Sequence, residues 1–260
     1  MIGIFDSGLG GLTVAREVLR QLPGRRVVYF GDTARTPYGT KSRELIRQYA
    51  LENAEFLLSK GAKVIVVACN TVSAHGVETL RRHVDVPVFE VVLPAVMRAA
   101  TLTEGRVGVI GTRGTVMSGV YERKMRLIAP QVRVHSVACP LFVPLVEEGW
   151  VSRRETQSIA AEYVRPLRLA RIDTLILGCT HYPFLRSVIR QAIGEDVQLI
   201  DPAQDTVSEM AGYLKQHPAL DRQLRSRQPH QFYVSDRTQQ FVDLANEWLG
   251  REVQVFAAPI

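Results

Sequence analysis

The sequence predicts an α/β fold with two similar domains, each containing a mostly parallel sheet flanked by helices. Short apolar runs alternate along the chain with longer segments of helical period, which is the pattern of strands connected by helices. Some of these runs, such as KVIVVAC and DTLILGC, are continuously apolar, as is typical of strands covered on both faces. A weak internal repeat is the third observation, and it indicates two related domains rather than one.

The apolar runs predict the positions of the strands. We expect strands at Ile2–Phe5, Val27–Phe30, Val64–Ala68, Val88–Val91, Val107–Ile110, Val132–Ser136, Thr174–Leu177 and Gln198–Ile200. Apolar residues at helical spacing predict long helices over Arg43–Lys60 and Thr156–Leu169. Strands separated by helices in this way are expected to run parallel.

The internal repeat consists of two pairs of similar segments. IGIFDSGLGG at 2–11 resembles VGVIGTRGTV at 107–116, and VIVVACNT at 64–71 resembles TLILGCTH at 174–181. The offsets between paired segments are similar, at about 105 and about 110 residues. Two related α/β halves would produce this pattern, with a boundary in the region around 94–106.

The composition is that of an ordinary folded chain of 260 residues, with 46% hydrophobic and 22% charged residues. No run approaches about 18 consecutive apolar residues, so we expect no membrane association. The N-terminus lacks the basic and apolar regions of a signal peptide, and we therefore expect a cytoplasmic protein. The net charge is +6, but the basic residues are scattered and no nucleic-acid motif is present, so we expect no nucleic-acid partner.

The chain has three cysteines, Cys69, Cys139 and Cys179. An odd number in a reducing compartment argues against disulfides, and no cysteine or histidine cluster has zinc spacing, so we expect no metal. Each cysteine is therefore either a buried apolar residue or a reactive thiol. Cys139, in VACPLF, lacks polar followers and is expected in the core.

Polar residues follow four of the predicted strands: Asp6-Ser7, Gly31-Asp32, Cys69-Asn70-Thr71 and Cys179-Thr180-His181. Ligands of open α/β sheets bind at the carboxyl ends of the strands, so these segments predict the functional site. If the two halves are related by a pseudo-twofold axis, the thiols of Cys69 and Cys179 face each other across one cleft. We also expect each thiol to lie at a helix N-terminus, which stabilises a thiolate.

Two opposed thiols suit the inversion of a carbon centre. One base must remove a weakly acidic α-proton, and an acid on the other face must return one. A thiol has an ordinary pKa of about 8.5, close enough to neutrality for either role. Asp6 and His181 are candidates to assist the two thiols, although Asp6 could instead be a helix N-cap and His181 could also simply cap.

The remaining candidates are neutral donors for an anionic substrate. In GDTARTPYGTKS, Tyr38 and Gly39 could offer a hydroxyl and a backbone N–H to a carboxylate, and Ser7, Asn70, Thr71 and Thr180 add further donors. The glycines of SGLGG leave backbone N–H groups open to an anion, but GxGxxG is absent and a nucleotide site is not supported. No lysine has a context that suits a pyridoxal cofactor.

Taken together, these segments resemble the glutamate racemases of bacterial cell-wall synthesis, within the aspartate/glutamate racemase family. The resemblance lies in FDSGLGGLTV (5–14), YFGDTARTPYGTKS (29–42), VVACNTVSA (66–74), VGVIGT (107–112) and LGCTHYPFL (177–185). It implies two α/β domains with the active site in the cleft between them. It also implies racemisation of glutamate without cofactor or metal, supplying D-glutamate for peptidoglycan.

The resemblance also implies residue roles. Cys69 matches the cysteine that deprotonates D-glutamate, and Cys179 matches the one that deprotonates L-glutamate. Asp6 and His181 match assisting groups, and so does Glu147 in LVEEG, although Glu148 beside it leaves that position less certain. The matching substrate-contacting positions are Ser7, Tyr38, Gly39, Asn70, Thr71, Thr112, Thr115 and Thr180.

Domain limits and assembly follow from the same resemblance. The chain after about residue 205 is expected to return to the first domain, which gives 1–95 plus 206–260 for one domain and 96–205 for the other. Family members are often dimers, so a homodimer is expected.

Three alternatives stay open. A racemase of a related acidic amino acid such as aspartate would keep the chemistry, because one methylene is worth only about 1–3 kcal/mol in a pocket. A two-lobed small-ligand binding protein would have the same fold class without a need for two edge cysteines. A further role is also open, since some members of the family bind DNA gyrase.

Overall fold

The computed structural model describes residues 1–258 and confirms the α/β prediction. The strands are β1 (Ile2–Asp6), β2 (Val27–Gly31), β3 (Val64–Val67), β4 (Val88–Glu90), β5 (Arg106–Gly111), β6 (Arg133–Ala138), β7 (Thr174–Gly178), β8 (Gln198–Ile200), β9 (Gln231–Val234) and β10 (Val255–Ala257). Every pairing between these strands is parallel.

Helices connect the strands throughout the described residues. They are α1 (Leu12–Gln21), α2 (Arg43–Ser59), α3 (Asn70–His75), α4 (Val77–His83), α5 (Val92–Leu102), α6 (Arg113–Ser118), α7 (Val120–Ile128), α8 (Phe142–Glu147), α9 (Arg154–Leu169), α10 (Arg186–Ile193), α11 (Pro202–Gln216), α12 (Pro218–Leu224) and α13 (Gln239–Leu249). Short 3-10 turns occur at Thr33–Arg35, Tyr38–Thr40 and Tyr182–Leu185. None of the helices within residues 1–258 is long and apolar enough to cross a membrane.

The chain forms two compact units. The first unit contains Met1–Val91 together with the chain from Ala203 onward, and its sheet has the order β10-β9-β2-β1-β3-β4. The central strand β1 pairs in register with both neighbours, so that Ile2 lies beside Val27 and beside Val64. The strands β1, β2 and β3 are buried along their whole length, as their continuously apolar sequences predict.

The second unit, Val92–Pro202, contains a smaller sheet with the order β6-β5-β7-β8. Its strand β5 pairs with β7 as β1 pairs with β3 in the first unit, and Val107 lies beside Thr174. The two repeated segments within each unit therefore begin on neighbouring parallel strands, β1 and β3 in the first unit and β5 and β7 in the second. This shared pairing places the residues that follow each pair at one edge of the sheet.

The packing of α2 shows how a helix covers the first sheet. Ser42 caps its N-terminus, because the Ser42 hydroxyl accepts a hydrogen bond from the Leu45 N–H at 3.3 Å. Ile46, Ala50, Ala54 and Leu57 recur at helical spacing and are buried in the core cluster that contains strands β2 and β3. Full burial of a side chain such as Leu57 contributes roughly 1.5–3 kcal/mol.

The predicted strands agree with the observed ones within two residues at either end. Gln198–Ile200 is reproduced, whereas β6 runs over Arg133–Ala138 instead of Val132–Ser136. Two strands were not predicted, β9 and β10, which extend the first sheet beyond β2. The helices predicted at Arg43–Lys60 and Thr156–Leu169 are found as α2 and α9.

Candidate active site

In the first unit, Cys69 lies at the carboxyl edge of the sheet, directly after β3. The backbone N–H of Ala68 donates to the carbonyl of Phe5 at 3.0 Å, which keeps the ends of β3 and β1 together. The thiol of Cys69 thereby reaches the residue that follows β1 and donates to the Ser7 hydroxyl at 3.6 Å between Sγ and Oγ. Cys69 is also the N-cap of α3, as predicted, and its carbonyl accepts the Ser73 N–H at 2.9 Å.

Asp6 is fully buried at the end of β1 and closes the turn that follows. Its Oδ2 accepts the Gly8 N–H at 3.0 Å, and its carbonyl accepts the Asp32 N–H at 3.0 Å. The alternative that Asp6 caps a helix is wrong, because the N-cap of α1 is Gly11. A Cβ at Gly11 would lie only 2.4 Å from the Asp6 Cβ, so the turn passes Asp6 too closely for any other residue.

Tyr38 is held inside the first unit by its hydroxyl. The hydroxyl donates to Oδ2 of Asp32 and accepts from the Asn53 amide at 3.2 Å. Burial, together with the neighbouring Asp32 carboxylate, raises the pKa of Tyr38 above its usual range, so the phenol keeps its proton. The expectation that this hydroxyl is offered to a carboxylate therefore needs correction, since both of its bonds are made within the unit. The adjacent backbone N–H of Gly39 is the donor that the Tyr38–Thr40 turn could provide.

Asn70 and Thr71 follow Cys69 in the first turn of α3, and both side chains are buried. Ser7 is half-buried beside them through its contact with Cys69. The first unit therefore brings Asp6, Ser7, Cys69, Asn70 and Thr71 to the ends of two adjacent strands. These positions agree with the prediction that the polar residues after β1 and β3 lie together.

In the second unit, Cys179 follows β7 and faces a histidine. Sγ of Cys179 lies 3.9 Å from Nδ1 of His181, and Nε2 of His181 lies 2.9 Å from Oε1 of Glu147. Burial by itself would lower the pKa of His181, but the hydrogen bonds and charges of Cys179 and Glu147 outweigh it and raise the pKa to about 10. His181 is therefore an imidazolium at neutral pH, in contact with a carboxylate on one side and a sulfur on the other.

The carboxylate that faces His181 is that of Glu147, not that of Glu148. Glu147 is the last residue of α8, and its side chain is 34% exposed. Glu148 is the C-cap of the same helix and is exposed to solvent. The two adjacent glutamates thus have different environments, which the sequence could not distinguish.

Cys179 does not lie at the N-terminus of an α-helix, and this part of the prediction is wrong. The residues after it form the 3-10 turn Tyr182–Leu185, and the first α-helix to follow, α10, begins only at Arg186. A single 3-10 turn aligns few peptide dipoles, so a dipole comparable with that of an α-helix is missing. His181 supplies the positive charge next to Cys179 instead.

The threonines predicted as binding residues also lie at strand ends of the second unit. Thr112, after β5, caps α6 by accepting the Thr115 N–H at 3.2 Å, and the two hydroxyls lie 3.1 Å apart. Thr115 is buried, whereas Thr112 is half-buried. Thr180 lies between Cys179 and His181 and is also buried. Capping by itself explains the Thr112–Thr115 contacts, so a role in binding stays a prediction for both residues.

The sequence profile of the Asp/Glu/hydantoin racemase family matches residues 2–210. This chain belongs to that family. A curated relative from Geobacter metallireducens, named glutamate racemase, is 48% identical over 250 residues, which cover 96% of this chain and 92% of the relative. Another glutamate racemase, from Streptococcus gordonii, is 43% identical over 98% of this chain and 96% of the relative. The resemblance found in the sequence is therefore confirmed.

Solved structures of the family agree with the fold. The glutamate racemase isoform RacE1 from Bacillus anthracis has a TM-score of 0.94 and 38% identity, with 100% of this chain and 97% of that chain covered. The glutamate racemase from Francisella tularensis, solved in complex with D-glutamate, has a TM-score of 0.91 and 35% identity, with 100% and 96% covered. Both matches span two sheets of parallel strands flanked by helices, as in this family member.

Cys139 has a different environment from the other two cysteines of this racemase-family chain. It is fully buried, and its thiol donates to the backbone carbonyl of Val137 at 3.7 Å between Sγ and O. Burial, with a smaller contribution from Cys179, raises the pKa of Cys139 well above its usual range. The thiol is therefore inert as a base, and the prediction that Cys139 is a core residue is confirmed.

The chemistry available at these strand ends is acid–base chemistry at sulfur. Each unit presents one thiol beside a polar partner, a hydroxyl for Cys69 and an imidazole for Cys179. Within residues 1–258, no group of three or more His, Cys, Asp or Glu side chains has an arrangement that could hold a metal ion. The side chains near the thiols can donate or accept protons, and the backbone N–H groups can bind an anion.

A buried ionic network around Asp32 was not predicted. Asp32 accepts hydrogen bonds from Arg35 Nε at 2.6 Å and from the Ser235 hydroxyl at 2.9 Å, in addition to that of Tyr38. Arg35 also contacts Glu52 and lies 4.0 Å above the centre of the Tyr49 ring. The sequence signal was the position of Asp32 after β2, but its partner Ser235 follows β9, a strand that was not predicted.

Proposed function

We propose that this chain interconverts L-glutamate and D-glutamate by moving the α-proton between two thiols, those of Cys69 and Cys179. The observation that carries the proposal is that each unit places one thiol at the carboxyl end of its β1–β3 or β5–β7 pair, beside a polar partner. The near-full-length similarity to glutamate racemases supports glutamate as the substrate.

The proton transfer requires one thiolate and one thiol. The thiolate takes the α-proton, and the electron pair of the broken C–H bond is delocalised into the α-carboxylate. The opposite thiol then donates its proton to the other face of the same carbon, which inverts the centre and exchanges the roles of the two sulfurs. By the resemblance, Cys179 acts on L-glutamate and Cys69 on D-glutamate.

His181 and Glu147 assist at Cys179. The imidazolium of His181 lies 3.9 Å from the sulfur through Nδ1 and balances the charge of a Cys179 thiolate. Glu147 holds the ring through Nε2 and maintains its positive charge. Asp6, by the resemblance, assists at Cys69, while its carboxylate also fixes the turn over Gly8.

Substrate binding relies on neutral donors in this proposal. Developing negative charge on the α-carboxylate is stabilised most by preorganised N–H and O–H groups, which need no reorganisation during the reaction. Gly39 supplies a backbone N–H, and Tyr38 fixes the turn that carries it. The hydroxyl and amide groups of the remaining proposed contacts belong to Ser7, Asn70, Thr71, Thr112, Thr115 and Thr180.

The test is incubation of the purified protein with L-glutamate in D₂O, with EDTA and no added cofactor. Optical rotation and the α-proton signal are followed for the unmodified chain and for Cys69→Ser and Cys179→Ser. We expect racemisation with deuterium incorporation in the unmodified chain and its loss in both variants. Cys139→Ser is the matched control, because this thiol is buried in the core and the variant should keep the activity.

The same assay separates the alternatives. Exchange with aspartate but not with glutamate would keep the two-thiol mechanism and change the substrate. No exchange with either amino acid, in folded protein under reducing conditions, would refute the racemase proposal and favour a small-ligand binding protein. If activity were lost in Cys139→Ser but kept in Cys69→Ser, the assignment of the chemistry to Cys69 and Cys179 would be wrong.

The setting of the activity is also part of the proposal. We propose that the chain acts in the cytoplasm, as a homodimer, and supplies D-glutamate for peptidoglycan. Analytical ultracentrifugation tests the dimer, and cell fractionation tests the location. Rescue of a strain that requires D-glutamate tests the role in cell-wall synthesis. The predicted domain limits, 1–95 plus 206–260 and 96–205, belong to the same set of expectations.

A further inference from the structure

The contact between Glu147 and His181 joins two separate segments of the second unit. Glu147 ends α8, a helix of only six residues, and His181 precedes the 3-10 turn after β7. The side chain of Glu147 is one-third exposed and reaches His181 from a different segment of the chain. The distance between the carboxylate and the imidazole therefore depends on how α8 is fixed relative to the turn.

Tyr182, the residue after His181, makes the connection between these segments. Its side chain is fully buried, and its hydroxyl donates to the carbonyl of Cys139 at 2.9 Å. Its ring lies edge-on to that of Phe142, with the ring centres 5.2 Å apart and the planes at 90°. Phe142 is the first residue of α8, and Cys139 lies three residues before it. Tyr182 therefore contacts both the start of this helix and the segment that leads into it.

We propose that Tyr182 is a positioning residue that fixes α8 against the turn after β7 and thereby holds Glu147 in contact with His181. The proposal rests on the proposed function only in its consequence for catalysis. The structural part, a tyrosine that sets the distance between a carboxylate and an imidazole, stands on the contacts of Tyr182 alone.

Tyr182 cannot exchange protons in place of His181. Burial, reinforced by the nearby Cys179 and Cys139, raises the pKa of Tyr182 well above its usual value. The hydroxyl is therefore a neutral donor to the Cys139 carbonyl at neutral pH. Its effect on the reaction must therefore act through geometry.

The matched variants are Tyr182→Phe and Tyr163→Phe. The first keeps the ring against Phe142 and removes the bond to the Cys139 carbonyl. The second makes the same chemical change at another tyrosine that packs against Phe142. Tyr163 also lies edge-on to Phe142, at 5.2 Å and 83°, and its hydroxyl accepts the Leu141 N–H at 3.4 Å. Tyr163→Phe therefore leaves the Tyr182–Cys139 bond in place.

The first readout is the pKa of His181, measured by NMR titration of the folded proteins. We expect Tyr182→Phe to lower this pKa by about one unit, because Glu147 moves away from the ring. Tyr163→Phe should leave it unchanged. If Tyr182→Phe does not fold, Phe142→Leu tests the same point, because it removes the ring contact at α8 and keeps the Tyr182 hydroxyl; the expected shift has the same sign.

The second readout is kinetic. The equilibrium constant between enantiomers is unity, so kcat/KM must fall equally in both directions, by about tenfold for Tyr182→Phe. A higher barrier for transfer at Cys179 makes C–H cleavage more rate-limiting from L-glutamate and less so from D-glutamate. The deuterium isotope effect on kcat/KM should thus rise for α-deuterated L-glutamate and fall for the D-enantiomer.

The outcomes separate the inference from the proposed function. An unchanged His181 pKa in both Tyr182→Phe and Phe142→Leu would overturn the positioning role. So would a decrease in kcat/KM with unchanged isotope effects, since a purely structural defect lowers the amount of folded enzyme alone. Failure of the unmodified chain to racemise glutamate would refute the proposed function, while the NMR titration would still decide the role of Tyr182.

Discussion

Replacing Glu147 by glutamine tests the electrostatic basis of the site most directly. Glutamine has the same shape and keeps an oxygen that accepts the hydrogen bond from Nε2 of His181, but it removes the negative charge 2.9 Å from the ring. We therefore expect the hydrogen bond to survive and the pKa of His181 to fall from its value of about 10. The fall measures how much of the raised pKa comes from the charge.

The magnitude follows from the distance and the exposure. Two unit charges 2.9 Å apart interact by about 6 kcal/mol at an effective dielectric constant of about 20 and by about 1.4 kcal/mol in water. The Glu147 side chain is 34% exposed, so solvent screening keeps the interaction near the lower end of this range. At about 1.4 kcal/mol per unit, the expected decrease in the His181 pKa is about 1 to 2 units.

The assay is an NMR titration of the His181 ring in the unmodified chain, in Glu147→Gln and in Glu148→Gln. The last variant is the matched control, because it removes the neighbouring charge from an exposed residue at the end of the same helix. A pKa that is unchanged in Glu147→Gln, or lowered equally in Glu148→Gln, would refute the reasoning. In the first case Cys179 alone would account for the raised pKa of His181, against the lowering effect of burial, and in the second the effect would be long-range.

Three further predictions concern stability. Gly11→Ala should destabilise the fold by about 3 kcal/mol in chemical denaturation, because the new methyl would lie 2.4 Å from the Asp6 Cβ. Gly212→Ala, within α11 and with open space around the added carbon, should instead stabilise the fold by about 0.5–1 kcal/mol. A change of the same sign in the free energy of unfolding of both glycine variants would contradict this reasoning. Cys139→Ala should lower the free energy of unfolding by about 1–2 kcal/mol and leave racemisation intact, and inactive folded protein would contradict its place in the core. The pKa of His181 is raised from 6.5 to about 10, so its contribution to stability is fully present below pH 6.5 and is lost as the pH rises through 10. The difference in the free energy of unfolding between the unmodified chain and His181→Asn should accordingly shrink over that range. A difference that grows with pH would show that the pKa of His181 is lowered in the folded protein and would contradict the prediction.

Several of the strands that the sequence predicts are fully buried and have a nearly continuous apolar run. β1, β2, β3 and β7 are buried at every position, so their sequences are almost purely apolar. β9 is buried only at alternate residues, and β10 has three residues at the sheet edge. β9 pairs with β2, which lies some 200 residues earlier in the sequence, for example through Val28 and Gln231, and β10 pairs in turn with β9, so no local pattern reveals either strand.

The candidate site follows the same division. Residues directly after β1, β2, β3 and β7 were predicted, because the carboxyl edge of a parallel sheet is defined by the strands alone, whereas Thr112, after β5, was named only through the family resemblance. The choice of Glu147 over Glu148 depends on the rotational phase at the end of α8, where one side chain faces His181 and the next is exposed. The Tyr38 hydroxyl forms hydrogen bonds with Asp32 and Asn53, and only the fold of the unit brings these two residues next to it.

The sequence repeat explains where the thiols lie but not what stands beside them. After Cys69 the chain enters α3 at once, so Thr71, two residues after the cysteine, is part of the first helical turn. After Cys179 no α-helix begins, and the second residue onward, His181, is the N-cap of a 3-10 turn, from which its ring contacts both Cys179 and Glu147. Since identical positions in the repeat have different backbone conformations, the two thiols have different partners, a hydroxyl and an imidazolium. In the proposed reaction, the two thiols would therefore act beside different polar groups, a hydroxyl for Cys69 and an imidazolium for Cys179.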